Sequence, residues 1–237
     1  MNKILIAFMV ITMGFQLISC EKEQERTKDE YYLPILNPDN FTDSITNIYL
    51  PNIPGKVYTY EGQPDEGTET IVVTVTNDKK TILGIDCIVV HDVVSLEGNT
   101  TEDTYDWFAQ DIFGNVWYLG EDSKEIENGV VVSTEGSWEA GVDGAQAGIV
   151  MPAVPILGVP YRQEYYFNEA EDWGKVTETN LNVTINYGTF TNCIKTEEWN
   201  PLEPDILENK YYAPGIGVIK EETAKGEYEV VELIDIQ

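Results

Sequence analysis

Residues 105–122 read YDWFAQDIFGNVWYLGED, two aromatic-rich runs on either side of a Gly114-Asn115 pair. Glycine accepts backbone angles closed to other residues and Asn tolerates the left-handed region, so this pair can reverse the chain and set YDWFAQ against NVWYLG as a hairpin. Short runs of β-branched and aromatic residues recur from Lys56 onward, among them KVYTY (56–60), ETIVVTVT (69–76), TILGIDCIVVHDVV (81–94) and LNVTINY (181–187). No window of a dozen residues there carries a helical period. In LNVTINY, Leu181, Val183, Ile185 and Tyr187 share one face while Asn182, Thr184 and Asn186 share the other. The pattern predicts an all-β fold, a meander of antiparallel strands forming a single strongly curved sheet or half-barrel, with a two-sheet β-sandwich as the alternative. A second tight turn is expected at Asn77-Asp78.

The hairpin design is used twice. GIDCIVVHDV and FTNCIKTEEW each place Asp or Asn before Cys-Ile, and Trp107 follows Cys87 by 20 residues as Tyr211 follows Cys193 by 18. The stretch KYYAPGIGVIKEE (210–222) is therefore a shorter hairpin bent by Pro214, Gly215 and Gly217. A phosphate cradle would need a helix behind it, and IGVIKEE has the character of a strand. Residues 136–160, GSWEAGVDGAQAGIVMPAVPILGVP, carry no charge after Asp143 and have prolines at 152, 155 and 160. They are expected to form a long apolar connection in which Ile149, Val150, Met151, Val154, Ile156 and Leu157 plug the core, or else a flap over an apolar ligand.

The chain opens MNKILIAFMVITMGFQLISC, one lysine ahead of an apolar run too short and too weakly flanked for a permanent membrane span. Leu17-Ile18-Ser19-Cys20 resembles the bacterial lipobox, which implies a lipoprotein signal over 1–19 and lipidation of Cys20. More than one buried acyl chain, at about 0.8 kcal/mol per CH₂, is a lasting anchor. Residues 21–30, EKEQERTKDE, have nothing apolar to bury, so Cys20 and the residues to 30 read as an anchor and flexible tether. A single all-β domain over 31–237 follows. Glu21, Glu23 and Glu25 loosely resemble export signals of surface lipoproteins of the Bacteroidota type. The expected location is the outer membrane, facing the periplasm or the cell surface.

With 42 acidic against 14 basic residues the formal charge is −28. A field of that sign repels phosphates, so nucleic acid is excluded as a partner. Beyond Cys20 only Cys87 and Cys193 remain; they can pair in an oxidising compartment, or stay as buried free thiols.

Three blocks, MPAVPILGVPYRQEYYFNEAEDWGKV, CIKTEEWNPLEPDILENKYYAPGIGVIKE and TYDWFAQDIFGNVWYLGED, resemble a widespread group of bacterial secreted proteins and lipoproteins sharing YRQEYY, TEEW-PLEP and YYAPGxG motifs. The resemblance spans most of residues 85–222 and implies no catalytic residue. More distantly it implies a curved sheet of the lipoprotein-carrier kind, an analogy of fold.

Candidate chemistry is sparse. His91 is the only histidine, and on a strand Cys87 lies about 13 Å from it, too far to share a metal, so no zinc site or cofactor is expected; calcium is a weaker alternative, with no D-x-D-x-D-G loop to hold it. Acidic pairs such as Glu102-Asp103, Glu121-Asp122 and Glu197-Glu198 read as a solvated anionic surface, although two carboxylates at a set distance would suffice for sugar hydrolysis. Adjacent aromatics say more, because strand neighbours face opposite sides and some rings must line a second surface. Trp107, Trp117, Tyr166 and Tyr211, with Met151 from the apolar stretch, are the candidate ligand-binding residues. Three functions follow. The leading one is non-enzymatic binding of an apolar or carbohydrate ligand, or of an envelope protein partner, in the curve of the sheet. The others are a carboxylate-dependent glycan hydrolase and a structural accessory of a membrane assembly. An open groove with convergent carboxylates favours the hydrolase; a filled concavity favours the accessory.

Overall fold

The computed structural model describes residues 29, 32–64, 67–227 and 229–237. The signal segment, Cys20 and all of the tether except Asp29 lie outside the described residues. Among the described residues there is one 3-10 turn, Pro38–Asn40, and no α-helix. The strands are β1 (Phe41–Thr42), β2 (Val57–Gly62), β3 (Glu69–Ile82), β4 (Ile85–Leu96), β5 (Asn99–Asp111), β6 (Val116–Glu127), β7 (Val130–Ser133) and β8 (Trp138–Glu139). They continue with β9 (Gln146–Met151), β10 (Pro160–Arg162), β11 (Glu164–Tyr165), β12 (Trp173–Ile185), β13 (Gly188–Trp199), β14 (Leu207–Ala213), β15 (Gly217–Lys225) and β16 (Val230–Ile236).

The strands form one antiparallel path, β10-β12-β13-β14-β15-β16-β2-β3-β4-β5-β6-β9-β11. Its two ends are consecutive pieces of one segment. Residues 160–162 pair with β12, and Glu164 and Tyr165, just past Gln163, pair with β9. The curve foreseen in the sequence thus becomes a nearly closed barrel, which removes the exposed edges that invite association. A Cβ on Gly148 of β9 would lie 2.3 Å from the Gln163 carbonyl carbon, so the seam closes only over a residue without a side chain.

Both echoed hairpins form, and their registers agree. Trp107 pairs with Val89, two residues past Cys87, and Tyr211 pairs with Lys195, two past Cys193. The β5–β6 turn falls at Gly114 (φ +95°). Its opening is fixed by Asp111, whose Oδ1 accepts from the amides of Phe113 and Asn115 at 2.9 Å. The Asn77-Asp78 turn does not form. β3 runs through both residues with a register irregularity between Val75 and Lys79. The chain reverses instead at Leu83-Gly84, where both φ values are positive, and splits TILGIDCIVVHDVV into two strands. The 136–160 stretch differs from the expected core plug as well. Its middle is β9, where Val150 and Met151 are buried, whereas Val154, Ile156 and Leu157 are exposed and plug nothing.

Register fixes which side chains face the lumen. Tyr60, Ile71, Val94 and Glu102 form one row across β2 to β5, and Tyr58, Val73, Asp92, Thr104 and Ser123 form the next. Across the barrel, Val176, Thr196, Lys210, Glu221 and Val231 form another. The core is therefore the lumen itself, apolar in part and acidic in part.

Candidate functional site

The acidic pairs are not a solvated surface. Of Glu102-Asp103, Glu121-Asp122 and Glu197-Glu198, the first, first and second members respectively are buried, and Asp172 is buried as well. The cause is the alternation that splits aromatic pairs: adjacent residues on a strand cannot share a face. Twelve Asp and Glu side chains are buried among the described residues, against the single buried lysine, Lys210.

One cation cannot neutralise that many carboxylates, so protons and hydrogen bonds must supply the rest. Lys210, fully buried, lies 3.1 Å from Glu198 and 3.6 Å from Glu221. Burial works against its charge, but Glu198, Glu221 and Glu208 outweigh that and raise its pKa above the ordinary lysine value. Glu198 also accepts from Thr196 Oγ1 at 2.8 Å and Tyr212 Oη at 3.0 Å. Glu208 and Glu221 are hydrogen-bonded to one another, and burial pushes both up, Glu208 to about 7. Glu164 and Asp172 form a second such pair, both raised by burial. Trp138 Nε1 donates to Glu164 at 2.9 Å, and Asn200 donates to Asp172. On the facing strands burial, then Glu229 and Glu102, raise Glu69 to about 8. Tyr118 Oη donates to Asp106 at 2.6 Å.

The lumen holds a cavity of about 60 Å³ bounded by Tyr58, Tyr60, Asp92, Asp106, Phe108 and Tyr212, with Leu50, Asn52 and Ile216 toward one end of the barrel. Asp92 is 5% exposed; its Oδ1 has no hydrogen-bond partner among the described residues. Burial, then Asp106, Glu102 and Glu69, hold its carboxyl well above the usual range. The volume admits no more than a handful of waters. No group of three or more potential metal ligands converges among the described residues.

The candidate ligand residues do not converge either. Trp107 stands on the outer face, where Lys80 Nζ sits 3.2 Å above its ring. Lys80 in turn bonds Glu139 at 2.7 Å. These groups border a shallow cleft of about 350 Å³ that also touches Asp122 and Ser137, but the lysine already occupies the ring face a sugar would need. Trp117 packs edge-on against Phe41 and donates to Asp111 Oδ2 at 2.9 Å. Tyr211 lies across the barrel with Lys195 and Lys220 within 5.5 Å and 5.3 Å of its ring, and donates to Glu222 at 2.6 Å. Tyr166 is half-buried at a local bridge to Ala170. Met151 is wholly buried beside Val116. Cys20 lies outside the described residues. His91 stacks on Tyr105 and meets Asp103 at 3.0 Å. Cys87 and Cys193 are free and buried, and burial raises both thiols, Cys87 to about 12.

No protein-family model matches the chain, and no curated protein matches it. Two solved structures are similar to it. One is described as a putative exported protein with a YmcC-like fold from Bacteroides fragilis, 16% identical, covering 81% of this chain and 99% of that one with a TM-score of 0.48. The other is a putative lipoprotein from Parabacteroides distasonis, 10% identical, covering 83% of this chain and 100% of that one with a TM-score of 0.42. Likeness at that level carries no activity across.

Proposed function

We propose that the chain is a lipid-anchored protein of the bacterial outer membrane that works by contact, as a non-enzymatic accessory of a membrane assembly, through its outer surface. The small size of the lumen cavity carries this reading. Its cavity of about 60 Å³ is far below the roughly 300–1,000 Å³ of a site for a drug-sized ligand. An acyl chain or sugar held in the curve of the sheet is thereby disfavoured, and any ligand or partner belongs outside. The hydrolase reading needs two carboxylates facing a substrate-sized space; the lumen acids face each other, Lys210 and a water-sized void.

In this reading residues 1–19 are the signal, Cys20 carries the acyl chains, and 21–28 lead to the body of the protein. The YRQEYY, TEEW-PLEP and YYAPGxG blocks, which resemble those of a group of secreted proteins and lipoproteins, support the same reading. Native mass spectrometry of the protein taken from bacterial membranes tests the proposal. The expected species begins at an acylated Cys20 and carries no further small molecule. An unmodified Cys20, or a stoichiometric lipid or glycan beyond the anchor, overturns it.

A further inference from the structure

One end of the barrel gathers exposed apolar tips from three separate segments, whereas the exposed valines at the opposite end, Val130 to Val132, belong to one short strand. Ile112 and Phe113 stand on the β5–β6 turn, Val154, Ile156 and Leu157 on the connection from β9 to β10, and Ile48 on the segment leading to β2. Phe113 is 73% and Val154 70% exposed. Asn47, itself buried, ties the three together. Its Nδ2 donates to the carbonyls of Gly114 (2.9 Å) and Pro152 (3.3 Å), and its neighbour Ile48 accepts from the Gly215 amide at 2.6 Å. From Gly144 to Tyr161 no side chain is charged. The turn also satisfies its own polar groups. Asp111 accepts from the amides of Phe113, Gly114 and Asn115, and Asn115 Oδ1 accepts from the Ala153 amide, all at 2.9 Å. Backbone so paired can leave water without orphaning a donor.

We propose that this end of the barrel docks onto the bilayer that holds the anchor, with Phe113, Val154 and Ile156 entering the boundary between headgroups and acyl chains. The inference rests on the acylation of Cys20 argued above. Chain length supports the lipid surface as the occupant. Asp29 is fixed to Arg162 at 3.1 Å and, through its amide, to Tyr165 Oη at 2.6 Å. Arg162 is five residues from Leu157, about 17 Å of extended chain at most, whereas the nine residues from Asp29 back to Cys20 reach about 30 Å. Anchor and rim can therefore meet one membrane at once. The body is strongly acidic, and Asp39 and Asp43 flank the patch beside β1, so attachment comes from apolar burial and suits zwitterionic lipid better than anionic lipid.

The test uses the acylated full-length mature protein in phosphatidylcholine vesicles, with a polarity-sensitive fluorophore on Val154→Cys. A second form carries it on Val131→Cys at the opposite end; Cys87 and Cys193 are buried and stay unlabelled. Doxyl-labelled lipid is expected to quench most of the emission at 154 and leave 131 unchanged. Adding Phe113→Asp and Ile156→Asp should abolish the quenching at 154, and replacing part of the lipid with phosphatidylglycerol should weaken it. Protein that floats with the vesicles but shows no quenching at 154 overturns the docking and leaves the anchor standing, as does a blue shift at 154 that appears without vesicles and tracks self-association. Protein that does not float overturns the anchor, and the docking with it.

Discussion

Lys210 is the residue on which the lumen balances, because among the described residues it is the one buried cation facing Glu198, Glu221 and Glu208. Removing one partner of a buried ion pair leaves the other charged and unsolvated, which costs about 3–5 kcal/mol. Lys210→Met is expected to destabilise the protein by about that much at pH 7.5, measured by urea denaturation. At pH 5 the deficit should shrink, since Glu208 and Glu221, already raised by burial, take up protons in place of the lost ammonium. A deficit equal at both pH values would mean that Lys210 contributes by packing alone. The cysteines make a simpler case. Both are buried, so neither should react with a thiol reagent at pH 8 until denaturant unfolds the barrel, and rapid labelling of native Cys87 would contradict the packing described.

At the level of elements the seam decides whether the sheet is a barrel or an open curve. Gly148 passes so close to Gln163 that a Cβ would meet its carbonyl carbon at 2.3 Å and the Glu164 amide nitrogen at 2.6 Å. Gly148→Ala should therefore push the 160–165 segment off β9, costing about 2–3 kcal/mol. Hydrogen exchange at Glu164 and Tyr165 should speed up while β3 to β5 stay protected; uniform loss of protection would instead indicate that the seam and body unfold as one unit. Most strands are legible in the sequence because period-two patterning and aromatic enrichment are local signals, and LNVTINY shows the pattern cleanly. The seam is not legible, since closure depends on a contact between β9 and residues some 15 positions on. The turn at Leu83-Gly84 hides inside a continuous apolar run, and Asn77-Asp78 lies within β3, where the register shifts between Val75 and Lys79. Buried acids were within reach of the alternation rule: Glu102 and Glu121 each stand next to an exposed-face acid, and one of each pair had to turn inward.

For the whole molecule, the acidic lumen fixes how stability depends on pH, and the sign is opposite to that of salt-bridged carboxylates. Glu69 titrates near 8 in the folded protein and near 4.3 when exposed in the unfolded chain. Between those values the folded state holds a proton that the unfolded state has released, so stability falls as pH rises through that window. Glu208, at about 7, acts in the same direction from about pH 4.3 to 7, and Asp92, Glu164, Asp172 and Glu221 share its sign. Lys210 is charged throughout this range and contributes no slope; at Glu222 burial raises the carboxyl, but Lys220 and Tyr211 together outweigh it and lower it, so it opposes weakly below about pH 4.5. The urea midpoint should therefore be highest near pH 4 and decline from there toward pH 8.5. Glu69→Gln, which keeps the shape and carries no proton to lose, should recover on the order of a few kcal/mol at pH 8.5, about 1 kcal/mol at pH 5 and nearly nothing below pH 4. A midpoint that rises steadily from pH 5 to 8.5 would show that the lumen acids are ionised and solvated, and the barrel would then have to hold far more water than its cavity of about 60 Å³ allows.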